Sequence, residues 1–316
     1  MNPIRRLSRK IQRNEKFFSI FARYFCSSSI FALGCFMLWN TDQRSDYYTY
    51  VIRNQQTESH LSQEYTGDTA PVQDGVGYSE ETLKDENDSI LSIESRKGLC
   101  EEILYRTSYK TSYNRQTRNP NWTAWKLTSD HTSGPVGRKN FVFMEDSNIK
   151  EPRSSPVDYS NSGFDRGHMC PAGDNKWSAQ AMMETFYMTN ICPQNQDLNS
   201  KVWLEIEESC RQWADKYDEI YIVCGPIYHK GEHRYIGKNR VVVPDAFFKA
   251  VIRLIPEPCG IGFICPNKPL PRGKDNYVST INDIEAITGY KFFTQLPEDI
   301  QQEVKQSSDL RNWKVK

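Results

Sequence analysis

The chain has 316 residues, enough for one large or two ordinary domains, and its 40 Lys/Arg balance 40 Asp/Glu to a formal net charge of zero. That balance excludes a protein that holds polyanions through a uniformly positive surface. The charge is uneven along the chain: residues 1–40 carry seven Lys/Arg and one Glu, a net of +6, and residues 41–98 carry five against twelve, a net of −7. Residues 99–316 are left with 28 against 27, a net of +1.

Arg5, Arg6, Arg9, Lys10, Arg13 and Lys16 precede a largely apolar and aromatic stretch from Phe17 to Trp39. It is about long enough to cross a bilayer, which takes about 20 residues, although Arg23 and the serines at 27–29 interrupt it. The basic flank comes first and Asp42 and Asp46 follow, so the positive-inside rule keeps the N-terminus cytoplasmic and exports the rest. Residues 1–40 therefore read as a signal or transmembrane anchor, placing the protein on a membrane or in a periplasmic or extracellular space. A mitochondrial transit sequence is the alternative, because the segment contains Arg and Ser and is nearly free of acids. Residues 41–98 are polar, acidic and poor in apolar clusters, too poor to offset ordering entropy, and read as a flexible tether.

A folded domain is expected over 99–316. Ile103 to Tyr113 and Thr123 to Leu127 read as strands around an Arg118-Asn119-Pro120-Asn121 turn. Ser178 to Phe186 reads as a short helix and Asn199 to Tyr217 as the main one. Glu219 to Cys224, Val241 to Val243, Phe247 to Leu254 and Ile261 to Cys265 supply further strands, and Ile281 to Thr288 a late helix stopped by Gly289. No internal repeat is present. The pattern is α+β, with a mixed central β-sheet flanked by helices. Seven of the nine cysteines fall in this domain, and Cys259 with Cys265 are candidates to close a hairpin by a disulfide.

The most informative run is Phe164-Asp165-Arg166-Gly167-His168-Met169. In an extended segment Arg166 and His168 share one face and Asp165 takes the other. A proton acceptor near pH 7 beside a permanent cation that suits phosphate oxygens points to phosphoryl chemistry. Downstream, Asn199, Trp203 and Glu207 recur at i, i+4 and i+8 on the main helix. Asn199 and Glu207 are separated there by about 12 Å of axial rise. A cation bound by Asn199 would thus meet Glu207 only through water.

Asp165-Arg166-Gly167-His168, the segment Thr189-Asn190-Ile191-Cys192-Pro193-Gln194, and Asp197-Leu198-Asn199 followed by Trp203 and Glu207 together resemble the DNA/RNA non-specific endonucleases. The resemblance runs from roughly residue 100 to 295. It implies a ββα-metal (His-Me finger) nuclease fold and a metal-dependent phosphodiester hydrolase acting on DNA and RNA. It implies His168 as general base and Asn199 as the protein ligand of magnesium, with manganese able to substitute. Arg166 matches an arginine near the phosphate, Glu207 a carboxylate ordering metal-bound water, Asn190 a residue supporting the geometry, and Arg138 a second phosphate-binding arginine. The near-neutral domain must then hold nucleic acid in a local groove of residues such as Arg115, Arg118, Arg138, Lys139 and Arg166.

Each of these residues also has an ordinary structural reading. His168 alone is as compatible with a turn-holding histidine, Asn199 with a helix N-cap, Glu207 with a solvated helix carboxylate and Asp165 with a buttress of the hairpin. On the other side of the ledger of functions stands a catalytically silent nucleic-acid-binding or interaction module on the same fold. A homodimer is compatible with the sequence, and no inhibitor protein can be named from it.

Overall fold

The structure is a computed structural model, and it describes residues 90–314. The apolar leader expected at 1–40 and most of the tether expected at 41–98 lie outside the described residues. Among the described residues no helix is long and apolar enough to cross a membrane.

Thirteen strands are present in this region: β1 (Ile93–Glu94), β2 (Glu102–Tyr105), β3 (Lys110–Asn114), β4 (Asn119–Thr128), β5 (Asp165–His168), β6 (Ile191–Gln194), β7 (Glu219–Ile227), β8 (Tyr235–Ile236), β9 (Val241–Val242), β10 (Ala246–Arg253), β11 (Cys259–Pro266), β12 (Val278–Ser279) and β13 (Lys291–Phe292). Seven form the central sheet in the order β12-β11-β10-β7-β4-β3-β2. The α+β layering is as expected. Within the sheet every neighbouring pair is antiparallel, so it is less mixed than the sequence suggested. The strand expected over Ile103 to Tyr113 is two, because the chain turns back between Arg106 and Tyr109, whose carbonyl accepts from the Arg106 amide at 2.8 Å.

The α-helices of six residues or more are α1 (Ala179–Glu184), α2 (Leu204–Tyr217), α3 (Ile281–Thr288) and α4 (Glu298–Gln306). Helix α2 buries Ile206, Ser209, Cys210, Trp213 and Ala214, a spacing that puts one continuous stripe against the sheet. Strand parity divides the sheet's two sides. Phe247 meets Trp203 at 5.7 Å on the α2 side, and Phe248 meets Phe292 at 5.5 Å on the other. Strand β10, covered on both faces, has all eight residues buried. Helix α3 keeps its expected bounds: Thr280 accepts from the Asp283 amide at 3.0 Å, and Gly289 ends it at φ 74°.

Folded structure reaches further toward the N-terminus than the boundary expected at 99. Ile90 and Leu91 are buried, and β1 pairs with β13, a partner at the far end of the domain that no local pattern announces. The disulfide suggested for Cys259 and Cys265 does not form. Both lie on β11, six residues and thus about 20 Å apart, and all seven described cysteines are free.

Candidate active site

Strands β5 and β6 form a separate hairpin, with Gly167 opposite Cys192 and His168 opposite Ile191. A Cβ on Gly167 would overlap the Gln194 side chain, so glycine at this position lets the two strands close. Strand parity then sends Arg166 and His168 one way and Asp165 the other, as the sequence predicts.

On the first side, Phe143 lies 5.2 Å from the His168 ring and 5.4 Å from the Arg166 guanidinium. Arg166 also donates to the Pro156 carbonyl at 2.8 Å, which fixes its plane. Phe186 meets His168 edge-on at 5.2 Å and lies 5.7 Å from the guanidinium of exposed Arg138. The imidazole is therefore bracketed by two arginines, each across one phenylalanine. Its Nε2 is buried and has no hydrogen-bond partner among the described residues. Burial, and then the charge of Arg138, lowers the His168 pKa to about 3. The ring is neutral at pH 7 and able to take a proton.

On the other side, Asp165 Oδ2 accepts from Asn199 Nδ2 at 3.1 Å. Asp165 therefore does more than brace the hairpin: it holds the amide of Asn199. Asn199 is not the helix cap. The helical run begins earlier, at Gln196, and Asn195 Oδ1 takes the amides of Asp197 and Leu198 at 3.1 and 3.2 Å. Asn199 instead opens a π-helical turn, Asn199–Trp203, that leads into α2. That widened turn changes the phase between Asn199 and Glu207 from the simple α-helical one expected.

Glu207 is half-buried on α2. Burial raises its pKa to about 7; Lys249 pulls it down, Asp174 pushes it up, and Arg211 and Arg138 pull it down further. Asp174 accepts from Arg211 Nη1 at 3.0 Å and from Trp125 Nε1 at 3.2 Å. Lys249 is fully buried on the α2 side of β10, its Nζ without a hydrogen bond among the described residues and 4.7 and 5.2 Å from the ring centres of Trp203 and Trp125. Burial by itself would depress its pKa, but Cys224, Glu207, Cys210 and Asp174 outweigh it and raise the value. Burial pushes both thiols up to about 12, so they are neutral at pH 7. The charge that balances Lys249 there comes from Glu207 and Asp174.

Asn190 is fully buried and clamps the chain just beyond His168. Its Oδ1 accepts from the Cys170 amide, and its Nδ2 donates to the carbonyls of Cys170 and Thr185, all at 2.9 Å. Arg115 and Arg118 stand apart from this cluster in their contacts. They donate to carbonyls of Lys150, Glu151, Gln116 and Arg240 around the β3–β4 turn.

The donor set suits a hydrated oxygen-seeking cation. Among the described residues no three His, Cys, Asp or Glu side chains are grouped to hold a metal ion, so a closed all-protein cage is absent there. With its amide nitrogen held by Asp165, Asn199 has one oxygen left to offer, and Glu207 is expected to act through water. One protein oxygen plus waters is the mode that magnesium tolerates best.

Sequence reasoning missed Arg211, Asp174 and Lys249. Arg211 was within reach, since it follows Glu207 by four residues on one helix. Lys249 gave a weaker signal, a single charge inside the apolar run of β10. Asp174 joins them only through the fold.

A β-hairpin bearing a neutral histidine, followed by a helix bearing asparagine and glutamate, is the ββα-metal unit of a nuclease. Residues 86–299 match the family model for DNA/RNA non-specific endonucleases, and the chain belongs to that family, a group of metal-dependent phosphodiester hydrolases. It is 35% identical over 210 residues to the mitochondrial nuclease EXOG of Xenopus laevis, covering 61% of this chain and 58% of that protein. It is 32% identical over 208 residues to the mitochondrial endonuclease G of Homo sapiens, covering 60% and 69% respectively. A solved structure of an EndoG/EndoGI complex, concerned with EndoG inhibition, superposes with a TM-score of 0.62 at 27% identity over 66% of this chain and 92% of that one. The match thus spans little more than half the length of the frog EXOG and its mouse counterpart.

Proposed function

We propose that this chain is a magnesium-dependent endonuclease that hydrolyses phosphodiester bonds of DNA and RNA with little sequence preference. Carrying this reading is the neutral His168, its Nε2 unpaired, set between Arg166 and Arg138. His168 would withdraw a proton from the attacking water at that nitrogen. A phosphate drawn in by the arginines would raise the imidazole pKa again, making the transfer more favourable. Arg138, exposed beside Phe186, and Arg166, fixed by Pro156, would hold the non-bridging phosphate oxygens. Asn190 keeps the strand end rigid beneath His168, and Asp165 orients Asn199. When bound through Asn199, the metal supplies positive charge against the phosphate and the departing 3′ oxygen. Purified full-length protein should degrade both plasmid and RNA with magnesium and lose both activities in EDTA. A folded sample that leaves both substrates intact with magnesium returns the chain to the silent-module reading.

The pH dependence should belong to Glu207. Its carboxylate gains a proton as pH falls through about 7, whereas His168 stays neutral to about 3. The acid limb of kcat/KM should therefore fall near neutrality or somewhat below, since a bound cation lowers the Glu207 value. Glu207→Gln should be slow and lack that limb; a mutant keeping the wild-type midpoint would assign it to another group. Stability runs the opposite way. Between 4.5 and about 7 the folded, metal-free protein holds a proton that the unfolded chain releases, so this group contributes less stability as pH rises through that window.

Location is read as mitochondrial. The relatives from frog, mouse and yeast are named mitochondrial nucleases, which favours the transit reading of residues 1–40 over export or a membrane anchor. Fractionation of cells carrying the tagged full chain decides between the two: recovery in a secreted or surface fraction restores the export reading.

A further inference from the structure

The segment from Tyr228 to Arg240, between β7 and β9, carries Lys230, Arg234, Lys238 and Arg240 against the single acid Glu232. This short connection has a net charge of +3, so the remainder of 99–316 is left at −2. All four basic residues are exposed.

The segment is also fixed to the hairpin that carries His168. Ile236 and Val241, paired across β8 and β9, pack with Tyr159 and Ile191. Gly237 adopts φ 63°, and a Cβ there would overlap Asp158. That carboxylate accepts the Asn239 amide at 3.1 Å and its Nδ2 at 2.9 Å. The Arg234 guanidinium lies 4.9 Å from the Phe164 ring centre and donates to the Ser162 carbonyl at 3.0 Å. Phe164 directly precedes β5, so in extended chain it stands about 13 Å from His168. That is roughly four base-pair rises of 3.4 Å along a duplex.

We propose that the β8–β9 hairpin is a docking surface for the sugar–phosphate backbone of double-stranded nucleic acid, beyond the nucleotide being cleaved. This rests on the nuclease reading above. An exposed set of cations on a segment anchored to the hairpin of the phosphodiester site favours a polyanion that already lies in that site. Phosphate contacts of this kind set the register of the duplex and add affinity without sequence preference.

The test is Lys230→Glu/Lys238→Glu in the full chain, with Lys230→Arg/Lys238→Arg as the charge-conserving control. Both lysines are exposed, so neither exchange reaches the core. With cleavage blocked by His168→Ala, the charge-reversed protein should bind a long duplex about tenfold or more weakly at low salt. Its slope of log affinity against log salt should be shallower by about two. With His168 intact, it should cleave a trinucleotide at the wild-type rate, and the arginine control should match wild type throughout. Unchanged duplex affinity and salt slope would overturn the proposal and leave the patch to an acidic protein partner. A wild-type protein that cleaves neither substrate would instead remove the nuclease reading itself.

Discussion

Replacing His168 by alanine should lower the cleavage rate at saturating substrate by about 10²–10⁴-fold, the usual contribution of a positioned general base, while duplex binding survives. The expectation follows from how little else His168 does. Its Nε2 bonds to nothing among the described residues, so truncation breaks no hydrogen bond there. What is lost is ring packing against Phe143 and Phe186, and the hairpin keeps its pairing and its Asn190 clamp. Arg138 and Arg166 remain to hold phosphate. Single-turnover cleavage gives the rate, and fluorescence anisotropy on labelled duplex gives the binding. Near-wild-type cleavage in the mutant would remove His168 as the base.

The second large effect is expected at Asn199. Asn199→Ala should raise the magnesium concentration needed for half-maximal activity and slow cleavage by about 10²-fold even when magnesium is saturating. Its helix should survive, because Asn195 supplies the cap. Removing only the orienting carboxylate, as in Asp165→Ala, should give the milder version of the same change, since Asn199 keeps its oxygen but loses the 3.1 Å bond that holds its amide. Magnesium titrations of activity and circular dichroism separate metal use from folding. If Asn199→Ala responds to magnesium like wild type, the ligand must be sought elsewhere in the site.

Much of this site was legible because its signals are local. Strand parity at 165–168 needs only four residues, and it put Arg166 with His168 and Asp165 opposite. The motif resemblance added Asn199, Glu207 and Asn190, and in the structure Arg138 lies within electrostatic reach of both His168 and Glu207. What stayed hidden depends on distant partners. Nothing near Lys249 in the chain shows that Glu207 and Asp174 balance its charge, because those acids come from α2 and the loop after β5. The groove expected from Arg115 and Arg118 rested on charge alone; Arg118 donates to the carbonyl of Arg240, at the end of the basic 228–240 segment, and Arg115 to the carbonyls of Lys150 and Glu151. The basic segment at 228–240 was passed over because its neighbours in sequence are ordinary loop residues. Asn195 and Asn199 both suit a cap, and only the hydrogen bonds assign the task to the first.

The π turn at Asn199–Trp203 makes chain length here a matter of function rather than of fold. Removing one residue from it would leave an ordinary α-helix from Gln196 onward, well capped and able to bury the same stripe of α2. Asn199 would nevertheless be turned by about 100° and moved about 1.5 Å relative to Glu207, away from Asp165. A deletion at this spot should therefore pass a folded-state assay while breaking the bond between Asp165 and Asn199.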